Sequence, residues 1–186
     1  MAFRKALARL NQDSTVCVCA RTGARQDERR IAVCYFERVY TIQLPDAAFE
    51  PPDIKLADKI LILHYLTGKG KRAVKGELVT FKDLPSGAFY DYAYQKRGPA
   101  RILRRFGQDP EQLLIAAVDL GGTKATFGDV SVHFSILPKI DACVVLHRGD
   151  SEFLPTANIL YRDSVINFLD LEDVAFLGGR IADKLS

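Results

Sequence analysis

Two polar segments of the sequence place aromatic rings beside side chains that bind anions or transfer protons. They span residues 84–97 and 147–153, and their candidate ligand-binding residues are Tyr90, Asp91, Arg97, Asp150 and Glu152. A planar guanidinium such as that of Arg97 can grip a carboxylate or phosphate through two parallel hydrogen bonds. We therefore predict that both segments border one pocket for an anionic ligand. A solvated helix face and a hairpin turn contain the same residue types, so that alternative stays open.

Proton transfer is the second chemistry that these residues could support. Asp150 or Glu152 could work as an acid–base group together with His64, which lies near the end of a predicted helix. Histidine titrates near neutral pH, and the C-terminal end of a helix favours its charged form. A histidine that only forms a local hydrogen bond is the competing interpretation, so the sequence leaves enzymatic activity undecided.

Three cysteines are subsidiary candidates for a metal site. Cys17 and Cys19 fall on one face of a strand predicted over residues 15–20, about 7 Å apart, and Cys34 belongs to a later strand. Three thiolates could bind zinc or part of an iron–sulfur cluster. The sequence has no pair of cysteines separated by two residues, and free cysteine is among the most buried residue types. We therefore predict buried thiols and no metal.

A basic segment, residues 69–105, raises the question of nucleic acid. It carries ten Lys or Arg against three acidic residues, with several aromatic rings among them. Single-stranded nucleic acid prefers such a mixture, and so do anionic cofactors. Residues 1–105 carry a net charge of +9 and residues 106–186 a net charge of −6. If the two halves pack together, much of the charge is self-complementary, which disfavours nucleic acid as a partner.

The order of predicted elements indicates how these residues are positioned. Helices are expected at residues 2–10, 54–66, 87–107 (one or two), 109–120 and 170–185, and strands at 15–20, 31–44, 78–81, 130–136, 142–147 and 157–161. The 31–44 stretch is either one long strand or two joined near Glu37 and Arg38. The links between the late strands are too short for crossover helices, so the pairing should be antiparallel. This predicts an α+β fold, a mainly antiparallel sheet flanked by helices, in a single domain over residues 1–186.

Composition excludes several classes of protein. The chain has 186 residues, is 48% hydrophobic and 26% charged, and carries a formal net charge of +3, which is close to the soluble globular average. No run of 18 apolar residues occurs, and the first ten residues form an amphipathic helix pattern without a secretory signal. With nothing marking secretion, the four cysteines are expected to be thiols in a cytoplasmic protein.

Several motifs give the sequence a family resemblance over about residues 10–186. They are Leu84-Pro85-Ser86-Gly87-Ala88-Phe89-Tyr90 with Arg97, Arg105-Phe106-Gly107-Gln108-Asp109-Pro110, Leu120-Gly121-Gly122, Leu137-Pro138, Gly149 to Phe153, Asn158-Ile159-Leu160, and Leu169 with Glu172-Asp173. With them the sequence resembles an uncharacterised prokaryotic domain-of-unknown-function family. Its members are often labelled iron–sulfur cluster proteins and come mainly from anaerobic bacteria and archaea.

The resemblance implies little chemistry. The cluster label belongs to a cysteine-rich segment that some relatives carry ahead of this domain, and only ten residues precede the matching region here. No four-cysteine signature is present, so the label should not be transferred. The leading hypothesis is a cytosolic binding or accessory protein for an anionic small molecule, a cofactor or a redox partner in anaerobic metabolism. Catalysis by Asp150, Glu152 and His64, and nucleic-acid binding by residues 69–105, are the alternatives.

Overall fold

The computed structural model describes residues 1–28, 30–69 and 75–186. Its helices are α1 (Ala2–Leu10), α2 (Thr15–Thr22), α3 (Leu56–Thr67), α4 (Gly87–Arg97), α5 (Pro99–Phe106), α6 (Gln112–Val118) and α7 (Leu171–Lys184). Its strands are β1 (Arg25–Asp27), β2 (Arg30–Tyr35), β3 (Arg38–Gln43), β4 (Ala48–Glu50), β5 (Leu78–Thr80), β6 (Thr123–Lys124), β7 (Val130–Leu137), β8 (Ile140–His147) and β9 (Thr156–Arg162). Short 3₁₀ turns occupy Phe81–Asp83 and Asp163–Asn167.

The strands form two antiparallel sheets. One has the order β1-β2-β3-β4, and the other has the order β5-β9-β8-β7-β6. Every strand pair is antiparallel, as the short links between the late strands predict. The α+β class is therefore confirmed, although two sheets stand where a single sheet was expected. The backbone N–H of Phe36 donates to the carbonyl of Ile136 over 3.0 Å and ties the first sheet to the second.

Residues 31–44, which were expected to form one long strand or two joined strands, form a tight hairpin. Strands β2 and β3 are joined by Phe36 and Glu37, whose φ angles are 47° and 63°. A two-residue hairpin loop with positive φ at both central positions has the twist that antiparallel strands require. The Phe36 ring is buried and meets the Tyr35 ring edge-on, with 4.9 Å between the centroids. Packing of that ring compensates for the positive φ angle, which is unfavourable for residues other than glycine.

The prediction of a strand at residues 15–20 is wrong, because this segment belongs to helix α2. Alternating Val and Cys residues resemble a strand, but Val18 and Thr22 are the buried positions and Val16 is 63% exposed. This is the i, i+4 spacing of a helix face. Strand β4 precedes α3, and Asp53, which lies between them, forms an ion pair with Arg38.

Helix α3 is central to the packing. Leu61, Ile62, Leu63, Tyr65 and Leu66 are all buried, so the helix is surrounded by α1, α2 and the rest of the core. Its last turn reaches the surface at His64 and Thr67. Residues 70–74, near the start of the basic segment 69–105, lie outside the described residues. None of the helices in the described ranges has both the length and the apolar character needed to cross a membrane.

Candidate functional site

A cleft of about 1050 Å³ opens where four parts of the fold meet. Its walls are helix α1, the last turn of α3 with the two residues after it, the first turn of α4, and residues 166–173, which lead into α7. Residues 85, 86, 90, 169 and 173 all line it, so two of the segments that carry the family resemblance converge here. A cleft of this size falls in the range of sites that enclose a small molecule.

His64 and Asp173 form the central polar pair of the cleft. The Nδ1 atom of His64 lies 2.9 Å from each carboxylate oxygen of Asp173. The hydrogen bond and charge of Asp173 raise the pKa of His64 above its ordinary value, although partial burial and the Arg9 charge oppose the rise. Burial raises the pKa of the Asp173 carboxyl, and the hydrogen bond from His64 counteracts part of that effect. The imidazolium of His64 therefore persists to a higher pH than that of a free histidine.

Three further cations line the same cleft. Lys5 and Arg9 lie one turn apart on α1, and Lys69 follows the end of α3. All three are exposed, and within the described parts of the chain none of them forms an ion pair. Two carboxylates also line the cleft, Asp173, which binds His64, and Asp170, which accepts the backbone N–H of Asp173 over 3.0 Å, so the three cations outnumber them. The cleft is left with an excess of positive charge.

Tyr90 reaches the cleft because of an unusual start to helix α4. Ser86 has a φ of 65°, and a Cβ placed on Gly87 would lie 2.0 Å from the carbonyl oxygen of Phe81. Glycine is thus required for the chain to turn this close to the preceding 3₁₀ segment. The turn sets Tyr90 on the cleft wall with 61% of its surface exposed.

The apolar part of the cleft comes from residues 166–171. Ile166, Phe168, Leu169 and Leu171 line it together with the cations. A second close backbone contact holds this wall against α3, since a Cβ on Gly68 would lie 2.5 Å from the Cα of Phe168. The Phe168 ring also packs on Tyr65, with 5.3 Å between the centroids. The cleft is therefore lined by both cations and apolar side chains.

The structure brings only some of the candidate residues together. His64 and Tyr90 line the same cleft, whereas Asp91 accepts a hydrogen bond from Gln95 one turn along α4. Arg97 borders a smaller cleft of about 400 Å³ on the other side of α7, beside Arg101 and Asp183. The sharing of one pocket by all five ligand-binding candidates stays a prediction.

Asp150 and Glu152 lie in an exposed turn between β8 and β9. The Asp150 carboxylate accepts the backbone N–H groups of Glu152 and Phe153 over 2.8 and 2.7 Å. These hydrogen bonds lower the pKa of Asp150. Neither residue lines the large cleft or the smaller one. The contacts of Asp150 are those of a residue that shapes a turn.

The cysteines do not share the geometry expected of them. On helix α2, Cys17 is exposed and Cys19 is half-buried, because residues two apart on a helix point in different directions. The expectation that they share a strand face is wrong for that reason. Cys34 is half-buried on β2. Across residues 1–28, 30–69 and 75–186, no three His, Cys, Asp or Glu side chains gather in a group that could hold a metal ion.

Sequence reasoning missed Lys5, Arg9, Lys69 and the role of Asp173. Lys5 and Arg9 have the i, i+4 spacing that places two side chains on one face of a helix, which is a readable signal. Asp173 is recognisable as a first-turn residue of α7, but its contact with His64 spans 109 residues along the chain. Only the packing of α3 against α7 reveals that pair.

Comparison with known proteins adds a family and no activity. Searches of curated proteins and of solved structures found no match to the chain. A family model described as Domain of unknown function (DUF3786) matches residues 17–184, which is most of the sequence. That span includes the last turn of α3, the start of α4 and the residues leading into α7, although α1 lies before it. The chain belongs to the DUF3786 family of domains of unknown function.

Proposed function

We propose that the protein is a cytosolic binding protein that holds an anionic small molecule in the cleft between α1, α3, α4 and α7. The observation that carries this proposal is the set of three cations, Lys5, Arg9 and Lys69, that line one cleft without an ion-pair partner among the described residues. When protonated, His64 adds a fourth cation, paired with Asp173. A cleft with an excess of positive charge attracts anions and raises their local concentration.

The apolar wall narrows the class of ligand. Phe168, Leu169 and Leu171 line the same cleft as the cations, and Tyr90 contributes a largely exposed ring. A carboxylate or phosphate that carries an apolar or aromatic body would satisfy both kinds of group at once. Burial of that body would supply most of the affinity, and the charged groups would fix its orientation.

The proposal is tested by ligand-dependent stabilisation of the purified protein. Thermal unfolding is measured with a panel of aromatic and aliphatic carboxylates, phosphate monoesters and nucleotides, since binding to the folded state alone raises the midpoint. Lys5→Ala and Arg9→Ala should weaken the stabilisation, whereas Arg4→Ala should not. Arg4 is an equally exposed cation of α1 that lies outside the cleft. Equal losses in all three variants would indicate a general charge effect and contradict the proposal.

A natural ligand can be sought directly. Native mass spectrometry of protein purified anaerobically from its source would show a bound small molecule, a metal or a second chain together. Anaerobic purification is chosen because the family resemblance points to anaerobic metabolism. A redox protein is a further candidate for the bound partner. Metal analysis of the same sample tests the subsidiary site at Cys17, Cys19 and Cys34.

A second candidate function is acid–base catalysis by His64. The specific observation in its favour is the hydrogen bond of His64 Nδ1 to Asp173, which can orient the ring and stabilise its charged form. The carboxylate beside His64 is thus Asp173, whereas Asp150 and Glu152 form an exposed turn. Catalysis requires that a ligand found in the cleft be turned over and that His64→Gln abolish turnover while binding persists.

A further inference from the structure

The outer surface of helices α4 and α5 carries an unusual set of exposed groups. Phe89 is 88% exposed and Tyr92 is 74% exposed, one turn apart on α4. Four cations on the same two helices are also exposed, namely Lys96, Arg104 and Arg105, and Arg97 at the edge beside α7. We call these six residues the α4–α5 surface. Large aromatic side chains this exposed are uncommon on a soluble protein and often mark an interaction site.

The charge of this surface is largely uncompensated. Asp91 is the one acidic residue of α4 and α5, and it is held by Gln95. Within the described ranges, none of the four cations forms an ion pair, and the neighbouring Arg101 alone reaches an acid, Asp183, over 2.6 Å. The Lys96 ammonium lies 4.2 Å from the centroid of the Tyr92 ring, a contact between two exposed side chains. The self-complementary charge expected from the sequence is therefore not found on this part of the molecule.

The opposite side of the two helices is rigidly packed, which fixes the surface in place. Tyr94 stacks on Phe81 with 4.0 Å between the ring centroids, and its hydroxyl lies 3.0 Å from that of Tyr161. Gly98, which joins α4 to α5, is so close to α7 that a Cβ would lie 3.0 Å from the carbonyl oxygen of Gly178. Rings and cations presented by a fixed scaffold lose little conformational freedom when they bind.

We propose that the α4–α5 surface binds single-stranded nucleic acid. Bases would stack on the open rings of Phe89 and Tyr92, and backbone phosphates would pair with Lys96, Arg97, Arg104 and Arg105. Stacking on isolated rings beside cations suits bases that are already unpaired. An acidic protein is the competing occupant of this surface, and the experiment below distinguishes the two.

The test measures fluorescence anisotropy of labelled oligothymidylate and oligouridylate with the full chain. We expect binding at about 50 mM salt that weakens roughly 50-fold by about 200 mM, because some four phosphates are neutralised. Phe89→Ala and Tyr92→Ala should each weaken binding by roughly 5- to 150-fold, the range for one lost stacked base. The double variant Arg104→Ala, Arg105→Ala should weaken binding and reduce the slope of log affinity against log salt concentration.

Controls separate this surface from general charge and from misfolding. Phe153→Ala removes a ring that is 69% exposed elsewhere, and Lys124→Ala removes an exposed cation elsewhere; both should bind as the unmodified protein does. Circular dichroism confirms that each variant folds. The proposal is overturned by undetectable binding at low salt, by full affinity in Phe89→Ala and Tyr92→Ala, or by equal affinity for duplex. Displacement of the oligonucleotide by an equal charge of polyglutamate would also overturn it and assign the surface to an acidic protein.

Discussion

The imidazole of His64, on the last turn of α3, bonds to both carboxylate oxygens of Asp173, on the first turn of α7, at 2.9 Å. The two residues are 109 positions apart in the chain. Each also belongs to the wall of the large cleft, so the contact that fastens two helices together is part of the proposed binding site. A ligand bound in this cleft, as proposed above, would therefore act on a contact that also stabilises the fold.

Asp173→Asn is expected to lower the pKa of His64. The carboxylate now favours the imidazolium by hydrogen bond and by charge, and an amide supplies neither to the same degree. An NMR titration of the His64 ring protons in both proteins measures the change. An unchanged pKa in the variant would mean that the contact does not hold the charged form.

The same pair should make stability depend on pH. Because the pKa of His64 is raised in the folded state, its stabilisation is fully present below the unfolded-state pKa of about 6.5. It is lost as the pH rises through the higher folded-state value. Urea unfolding of the unmodified protein and of His64→Gln should thus differ more at about pH 6 than at about pH 9. A constant difference between the two would contradict this assignment.

The adjacent glycines of α7 should respond oppositely to alanine. A Cβ on Gly178 would lie 2.5 Å from Cε2 of the buried Tyr94, whereas the nearest atom to a Cβ on Gly179 is 3.7 Å away. Gly178→Ala should cost about 1–3 kcal/mol through overpacking. Gly179→Ala should gain up to about 1 kcal/mol of helix propensity. Denaturant unfolding compares them, and equal effects would show that the contact with Tyr94 is not limiting.

Removal of Asp58 should be strongly destabilising. This buried carboxylate binds Arg180 through Nε at 2.7 Å and Nη2 at 2.8 Å, and it accepts the Tyr35 hydroxyl at 2.9 Å. Asp58→Ala leaves Arg180 without its main counter-charge and should cost about 3–5 kcal/mol. Arg101→Ala is the control, because its exposed pairing with Asp183 is worth less than about 1 kcal/mol. Losses of similar size would refute a structural role for the buried pair.

Thiol labelling should follow burial. Cys17 is exposed, whereas Cys143 is fully buried and burial, assisted by Asp141, raises the pKa of its thiol to about 11. The thiolate is the reactive form, so iodoacetamide at about pH 8 should modify Cys17 first and Cys143 last. Peptide mass spectrometry gives the order. Rapid labelling of Cys143 in folded protein would mean that its strand opens readily.

The sequence was most informative where local patterns decide the structure. Pro99 predicts the start of α5, and Asp170 predicts the start of α7, where its carboxylate accepts the N–H of Asp173. Residues 142–147 are apolar on both faces, and β8 is the middle strand of its sheet. Capping residues and the periodicity of burial act within a few positions, so they can be read without knowing the fold.

Prediction failed where distant residues decide. Residues 15–20 fit a strand locally, but contact with α3 selects a helix that buries Val18 and Thr22. His64 was identifiable as a titratable residue at a helix end, yet its partner and the cations Lys5 and Arg9 come from elements far along the chain. The cleft is assembled from four separate segments, so no sequence motif within a single segment predicts it.

The strand orders have a consequence for association between copies of the protein. The edge strands of the two sheets, β1, β4, β5 and β6, are each only two or three residues long. The six- to eight-residue strands lie inside the sheets, and β8 is paired along both sides, whereas each of the others is covered on its outer side over two or three residues. A growing β-aggregate needs a long open edge on which to add a strand. Within the described residues the outermost strands are short, and the central apolar strand of the second sheet, β8, is shielded from pairing with another copy.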